Sequence, residues 1–132
     1  MNAQTYLSQI GVLDYKIKSN MRILHDLETM AESSHFALDG VKVSHSRNNH
    51  PMEDAVIKIE EMKARIGRDL IRLCELKEEI TEKIQEIPDM KLQQVLEMRY
   101  VSLKTWEEIA DTMDRTVSSV YKLHALGLAA MK

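Results

Sequence analysis

Glycine and proline are scarce in this 132-residue chain, four and two respectively. That scarcity excludes collagen-like repeats and the many tight turns of a strand-rich sandwich or barrel. One Phe and one Trp leave little of the aromatic material that strands favour. The single cysteine, Cys74, cannot close a disulfide within the chain, and its neighbours Leu73 and Leu76 make it a small apolar residue of a helix in a reducing compartment. No apolar run approaches the ~20 residues that span a bilayer, and Asn2, Gln4 and Asp14 break the basic-then-apolar order of a signal peptide. The expectation is a cytoplasmic protein with no membrane partner.

Chemistry-bearing patterns are missing as well. There is no glycine-rich phosphate loop and no nucleophile beside a base, and the adjacent Glu107 and Glu108 would point about 100° apart on a helix. His45 and His50 frame Ser46, Arg47, Asn48 and Asn49, a spacing that fits no common zinc pattern. The sequence therefore predicts no catalytic residue, no metal and no cofactor: the protein is not an enzyme.

What remains is rich in Leu, Ile, Met, Glu and Lys, the usage of an all-α protein. The net charge of −3 is unevenly spread, with −4 over residues 1–90 and +1 over 91–132. From Arg115 onward Arg115, Lys122 and Lys132 are basic and no residue is acidic.

Apolar side chains at Tyr6, Ile10, Leu13, Ile17, Leu24, Leu27 and Ala31 alternate steps of three and four, interrupted at Asn20. The pattern resumes at Ile59, Met62, Ile66, Leu73, Leu76, Ile80 and Ile87, interrupted at Asp69. Between them residues 32–51, with Ser33, Ser34, Gly40, Ser44 and Asn48, have the composition of a loop. Antiparallel partners should have position numbers summing to a constant, and 10 with 80, 13 with 76, 17 with 73, 24 with 66, 27 with 62 and 31 with 59 sum to 89 or 90. The prediction is a long antiparallel helical hairpin, a coiled coil, over 1–87, with Asn20 set against Asp69 as a polar pair that fixes register. Val12, Ile23, Met30, Ile57 and Ile71 lie off the seam and need cover from the C-terminal helices or from a second copy in a homodimer.

Pro88 ends the second arm and Asp89 can cap a third helix to about Tyr100. Thr105 and Glu108 form a capping box that starts a fourth helix at Trp106, and small Ala110 sits where the next helix must cross. Asp114 and Arg115 make a turn, and Thr116 caps a fifth helix with Val120, Leu123 and Leu128 on its inner side. Residues 88–132 thus read as a three-helix domain containing a helix-turn-helix. The fifth helix would expose Val117, Ser118, Tyr121 and Lys122, with His124 and Ala125 a turn further on.

The run Leu92, Val95, Leu96, Met98, Arg99, Tyr100, then Thr105 to Ala110, then Thr116 and Val120 to Leu128, resembles the fourth region of bacterial sigma factors, which binds the −35 promoter element. With the acidic hairpin in front and Asp54 to Ile59 opening its second arm, nearly the whole chain is similar to the phage-encoded regulators of the ArpU/RinA type. The resemblance implies double-stranded DNA as partner, RNA polymerase as a further one, and control of phage late genes. It departs in basic content: Val117, Ser118, Leu126 and Ala130 are neutral where sigma recognition helices carry several Arg or Lys.

On this reading Thr116, Val117, Ser118, Ser119, Tyr121, Lys122 and His124 face the major groove, while Lys104, Arg115 and Lys132 hold phosphates and Thr105 is a further DNA-binding residue. Three or four phosphate contacts per subunit give a salt slope of only about −3 to −4, so useful affinity asks for a dimer or a polymerase partner. The competing reading makes the hairpin an interaction module that docks on RNA polymerase, the C-terminal helices being packing alone.

Overall fold

The computed structural model describes residues 1–40 and 51–131, the side chains of 34–40 excepted, and the described residues form an all-α protein. The first arm comprises α1 (Ala3–Leu7) and α2 (Gln9–Gly40). Asn2 caps it by accepting from the Thr5 amide at 2.8 Å. Ser8 separates the two helices but keeps a helical backbone, its amide bonded to the Gln4 carbonyl at 2.9 Å. The second arm is α3 (Pro51–Gln85), opening on a proline whose missing N–H is no loss at the first helical position. Then come α4 (Met90–Leu96), α5 (Trp106–Met113) and α6 (Val117–Ala130); α6 is the fifth helix of the sequence reading, because the first arm counts twice.

The first arm outruns its expected end. Residues 32–40, assigned to a loop by their polar composition, are helical. Serine lowers helix propensity by only tenths of a kcal/mol, and no Pro or Gly stands between Gly11 and Gly40 to stop the helix. The rest of the expected loop, including His45, Arg47 and His50, lies outside the described residues.

Two compact units divide the chain: Tyr15–Ile71 is one, and Met1–Asp14 with Arg72–Lys132 the other. This division falls across the hairpin. The physical reason lies in what buries the hairpin's ends. Leu7 and Ile10 are fully buried, α1 touches α6, and Leu103 lies beside Gly11. Ile80 and Ile84 of the second arm and Ile87 just beyond it are buried with them in this unit, as are Leu92, Val95 and Leu96 of α4. Tyr6 donates its hydroxyl to Glu79 Oε2 at 2.8 Å; burial first, then that carboxylate, push its pKa up to about 12.

In Tyr15–Ile71 the heptad stripe is the inward face. Ile17 and Ile66 are buried, and Leu24, Leu27, Ala31, Ile59 and Met62 half-buried. The polar step is there too: Asn20 Nδ2 and Asp69 Oδ2 are both out of contact with solvent and neither has a hydrogen-bond partner. Lys16, one turn before Asn20, approaches Asp69 Oδ2 at 3.8 Å, too long for a hydrogen bond but close enough to offset its charge. Ile23, Met30, Ile57 and Ile71, for which the sequence asks a cover, are exposed.

Candidate functional site

Three local devices position the C-terminal helices. Asp89 starts α4 by accepting from the Lys91 amide at 2.8 Å. Its last turn widens into a π turn over Glu97–Val101, with the Ser102 amide bonded to the Glu97 carbonyl at 3.0 Å. Leu103 then reverses the chain at φ 57°. Thr105 and Glu108 form the expected capping box: the Glu108 amide donates to Thr105 Oγ1 at 3.2 Å, and the Thr105 amide to Glu108 Oε1 at 2.9 Å. The Thr105 amide first, then the Thr105 hydroxyl, hold the Glu108 carboxyl below the usual carboxylate range.

Asp114 ends α5 in the left-handed region, φ 54° and ψ 52°, a conformation that Asp tolerates better than most residues. The Arg115 amide bonds back to the Ala110 carbonyl at 2.9 Å, and Thr116 caps α6 by accepting from the Ser119 amide at 3.1 Å. Beneath the turn Val95, Met98, Ile109, Ala110 and Val120 form one apolar cluster, flanked by Trp106, Met113, Val117 and Leu123. At Gly127 α6 meets α4 closely, since a Cβ there would come within 3.0 Å of Leu96 Cγ. The sequence reading placed the close crossing at Ala110 and missed this second one.

The arrangement leaves Arg115, Thr116, Ser118, Tyr121 and Lys122 exposed around the first turns of α6. Arg115 Nη1 donates to Ser119 Oγ at 3.1 Å, so these two form one polar edge. Thr105 is exposed at the start of α5, and Lys104 beside it is half-buried with its amide bonded to the Met98 carbonyl. Lys132 lies outside the described residues.

Two expected groove-facing residues turn inward. Val117 is half-buried against the apolar cluster. His124 is half-buried with Nε2 at 2.6 Å from the Tyr100 hydroxyl and its ring edge-on to Trp106, centroids 4.8 Å apart. The spacing explains both: 117, 120, 124 and 127 fall three or four apart, on the side of α6 that carries buried Val120 and Gly127. Burial, reinforced by the nearby Arg99 charge, lowers the His124 pKa. Burial also raises that of Tyr100, against the opposing pull of Arg99 and a hydrogen bond with Gln4.

Arg99 is the residue that the sequence reading passed over. The π turn sets its guanidinium 4.3 Å from the centre of the Trp106 ring, and Nη1 donates to the Lys104 carbonyl at 3.0 Å. Tyr121 meets the same indole edge-on at 5.0 Å. Trp106 therefore joins the end of α4 to the exposed side of α6. The only trace of this in the sequence is an Arg followed by aromatics at 100, 106 and 121, a pattern without meaning until the turns bring them together.

Among the described residues no group of three His, Cys, Asp or Glu side chains could hold a metal ion, and no helix is long and apolar enough to cross a membrane. Fold and site together define an all-α protein that ends in two capped helices joined by a tight turn. Residues 30–131 match the family described as protein of unknown function DUF1492, and the chain belongs to that family. No curated protein and no solved structure matches it.

Proposed function

We propose that α5 and α6 are a DNA-binding helix-turn-helix and that the protein is a cytoplasmic, non-enzymatic transcription regulator of double-stranded DNA. The observation that carries this reading is the exposed row Thr116, Ser118, Tyr121 and Lys122 on the first turns of α6, beside Arg115 and with no acidic residue after Asp114. A helix end of this kind offers amides to phosphate and short polar side chains to base edges. The resemblance to the fourth region of sigma factors and to ArpU/RinA-type regulators supports the same reading and narrows it to late-gene control in a phage or prophage. Lys104 and Lys132 are the further phosphate contacts of this proposal, and Thr105 is a further DNA-binding residue.

Selection from a random DNA library with the full chain tests it, wild type against a Tyr121→Ala, Lys122→Ala variant at low and moderate salt. The expected result is an enriched motif that the variant loses, while Arg115→Ala weakens binding to all sequences alike. Absence of any enriched motif overturns it. A second reading, docking of the hairpin on RNA polymerase, is favoured by exposed Ile23 and Met30 on α2; it requires that Ile23→Asp abolish polymerase capture without altering DNA affinity.

A further inference from the structure

α3 carries a second heptad stripe that nothing in the unit Tyr15–Ile71 covers. Ile57, Glu60, Ala64, Gly67 and Ile71 alternate steps of three and four, two residues behind the inward seam of Ile59, Met62, Ile66 and Asp69. Ile57 and Ile71 are 54% and 63% exposed, and a Cβ built on Gly67 would meet no atom within 4 Å. The centre of the stripe, Ala64 and Gly67, is therefore both small and open, which allows another helix to approach closely. Its one charged member, Glu60, is bridged to Lys63 at 3.8 Å.

We infer that this outer stripe of α3 is a self-association surface, occupied by the same helix of a second copy running antiparallel. The charges beside the stripe select that occupant and that direction. In an antiparallel pair centred on Ala64 and Gly67, facing positions sum to 131, so that 60 stands opposite 71 and 64 opposite 67. Exposed Glu61 then lies within about half a turn of exposed Arg68 of the second copy, and the two-fold axis makes this pair twice. Lys63 lies alongside exposed Leu70 of the second copy, where its methylene stem covers apolar surface. A parallel pair instead sets Lys63 against Arg68 of the second copy, like against like.

The strength of the association follows from its size. From Ile57 to Ile71 the stripe is roughly 20 Å long and about 10 Å wide, a footprint of a few hundred Å² per copy against the ~800 Å² of a standard stable interface. The dimer is weak, salt-sensitive and formed at roughly micromolar concentrations or above. It does not depend on α6 binding DNA, and each idea can fail without the other.

Sedimentation equilibrium of the full chain, from low micromolar to hundreds of micromolar, reads it directly. The expected result is a monomer–dimer equilibrium that Glu61→Arg and Arg68→Glu each weaken roughly three- to tenfold, that the double reversal restores, and that Ile57→Asp abolishes. All three positions, Glu61, Arg68 and Ile57, are exposed, so circular dichroism should be unchanged in every variant. In a Cys74→Ser background, a mixture of Glu60→Cys and Ile71→Cys chains should give the mixed disulfide in preference to either homodimer. A chain that stays monomeric overturns the inference, as does a dimer indifferent to both single reversals or to Ile57→Asp. Predominant homodisulfides overturn the antiparallel direction. A monomer that loses a bound protein on Ile57→Asp assigns the stripe to a foreign partner.

Discussion

In Tyr15–Ile71 burial follows one stripe along two long helices; in Met90–Met131 it gathers where short ones cross. The hairpin region buries Ile17 and Ile66 while its other seam residues are half-exposed. The C-terminal region leaves Val95, Leu96, Ile109 and Val120 no exposure at all. A long helix with one stripe has little curvature to enclose a side chain, whereas three short helices meeting at angles surround it. The difference has a counterpart in how position is fixed. The hairpin relies on register, a matter of side-chain sequence, and the C-terminal helices on caps and turns, where single hydrogen bonds set each start and stop.

The largest effect that would break this contrast is a core truncation. Ile109→Ala is expected to cost about 3 kcal/mol, within the range for a fully enclosed Ile, whereas Ile57→Ala on the exposed side of the hairpin should change stability by under about 0.5 kcal/mol. Urea denaturation of the two variants measures both. Similar losses would mean that the hairpin's outer side is enclosed after all.

Next in size is the polar step. Asn20 Nδ2 and Asp69 Oδ2 are enclosed without hydrogen-bond partners, so replacing both with Leu removes two unmet groups and is expected to stabilise the hairpin by about 1–3 kcal/mol. Asp69→Leu alone leaves Asn20 unmet and should gain less. A double variant less stable than wild type would show that the pair is satisfied in solution. A smaller effect again is expected from Thr105→Ala, about 1 kcal/mol from loss of the α5 cap, read as a lower thermal midpoint.

These magnitudes also mark what was legible in the sequence. The seam, the capping box and the Asp114 turn could be read because each is a local pattern with one physical meaning. The inward turn of Val117 and His124 could not, because a Thr-capped helix fixes where α6 starts but not how it rotates about its axis. That rotation is set by Val120 and by Gly127 against Leu96, a contact between residues 31 positions apart in the chain. The loop over 32–51 was misjudged at its start because serines were read as a stop, though they only weaken a helix. That Met1–Asp14 packs in one unit with Arg72–Lys132 was not legible either, because Leu7 and Ile10 carry no mark, in sequence, of where their cover comes from.

The smallest effect is a pH dependence that arises in the C-terminal region. While the His124 ring is neutral, Nε2 can accept the Tyr100 hydroxyl at 2.6 Å; a proton there reverses the sense of that bond and sets a second positive charge near Arg99. Burial first, then the Arg99 charge, hold the folded-state pKa below the ordinary 6.5. The unfolded chain then binds more protons than the folded one once the pH falls below about 6.5, so stability is lost on acidification until the folded ring titrates as well. Glu108 also has a depressed folded pKa and loses its contribution on acidification, but only as the pH approaches the carboxylate range around 4.5. Among the described residues, the slope between about pH 7.5 and 5.5 therefore reports His124. Thermal midpoints across that window should fall with pH in the wild type and flatten in His124→Gln. A wild-type midpoint independent of pH would mean that the ring sits in water, and with it that α6 is rotated from the position described.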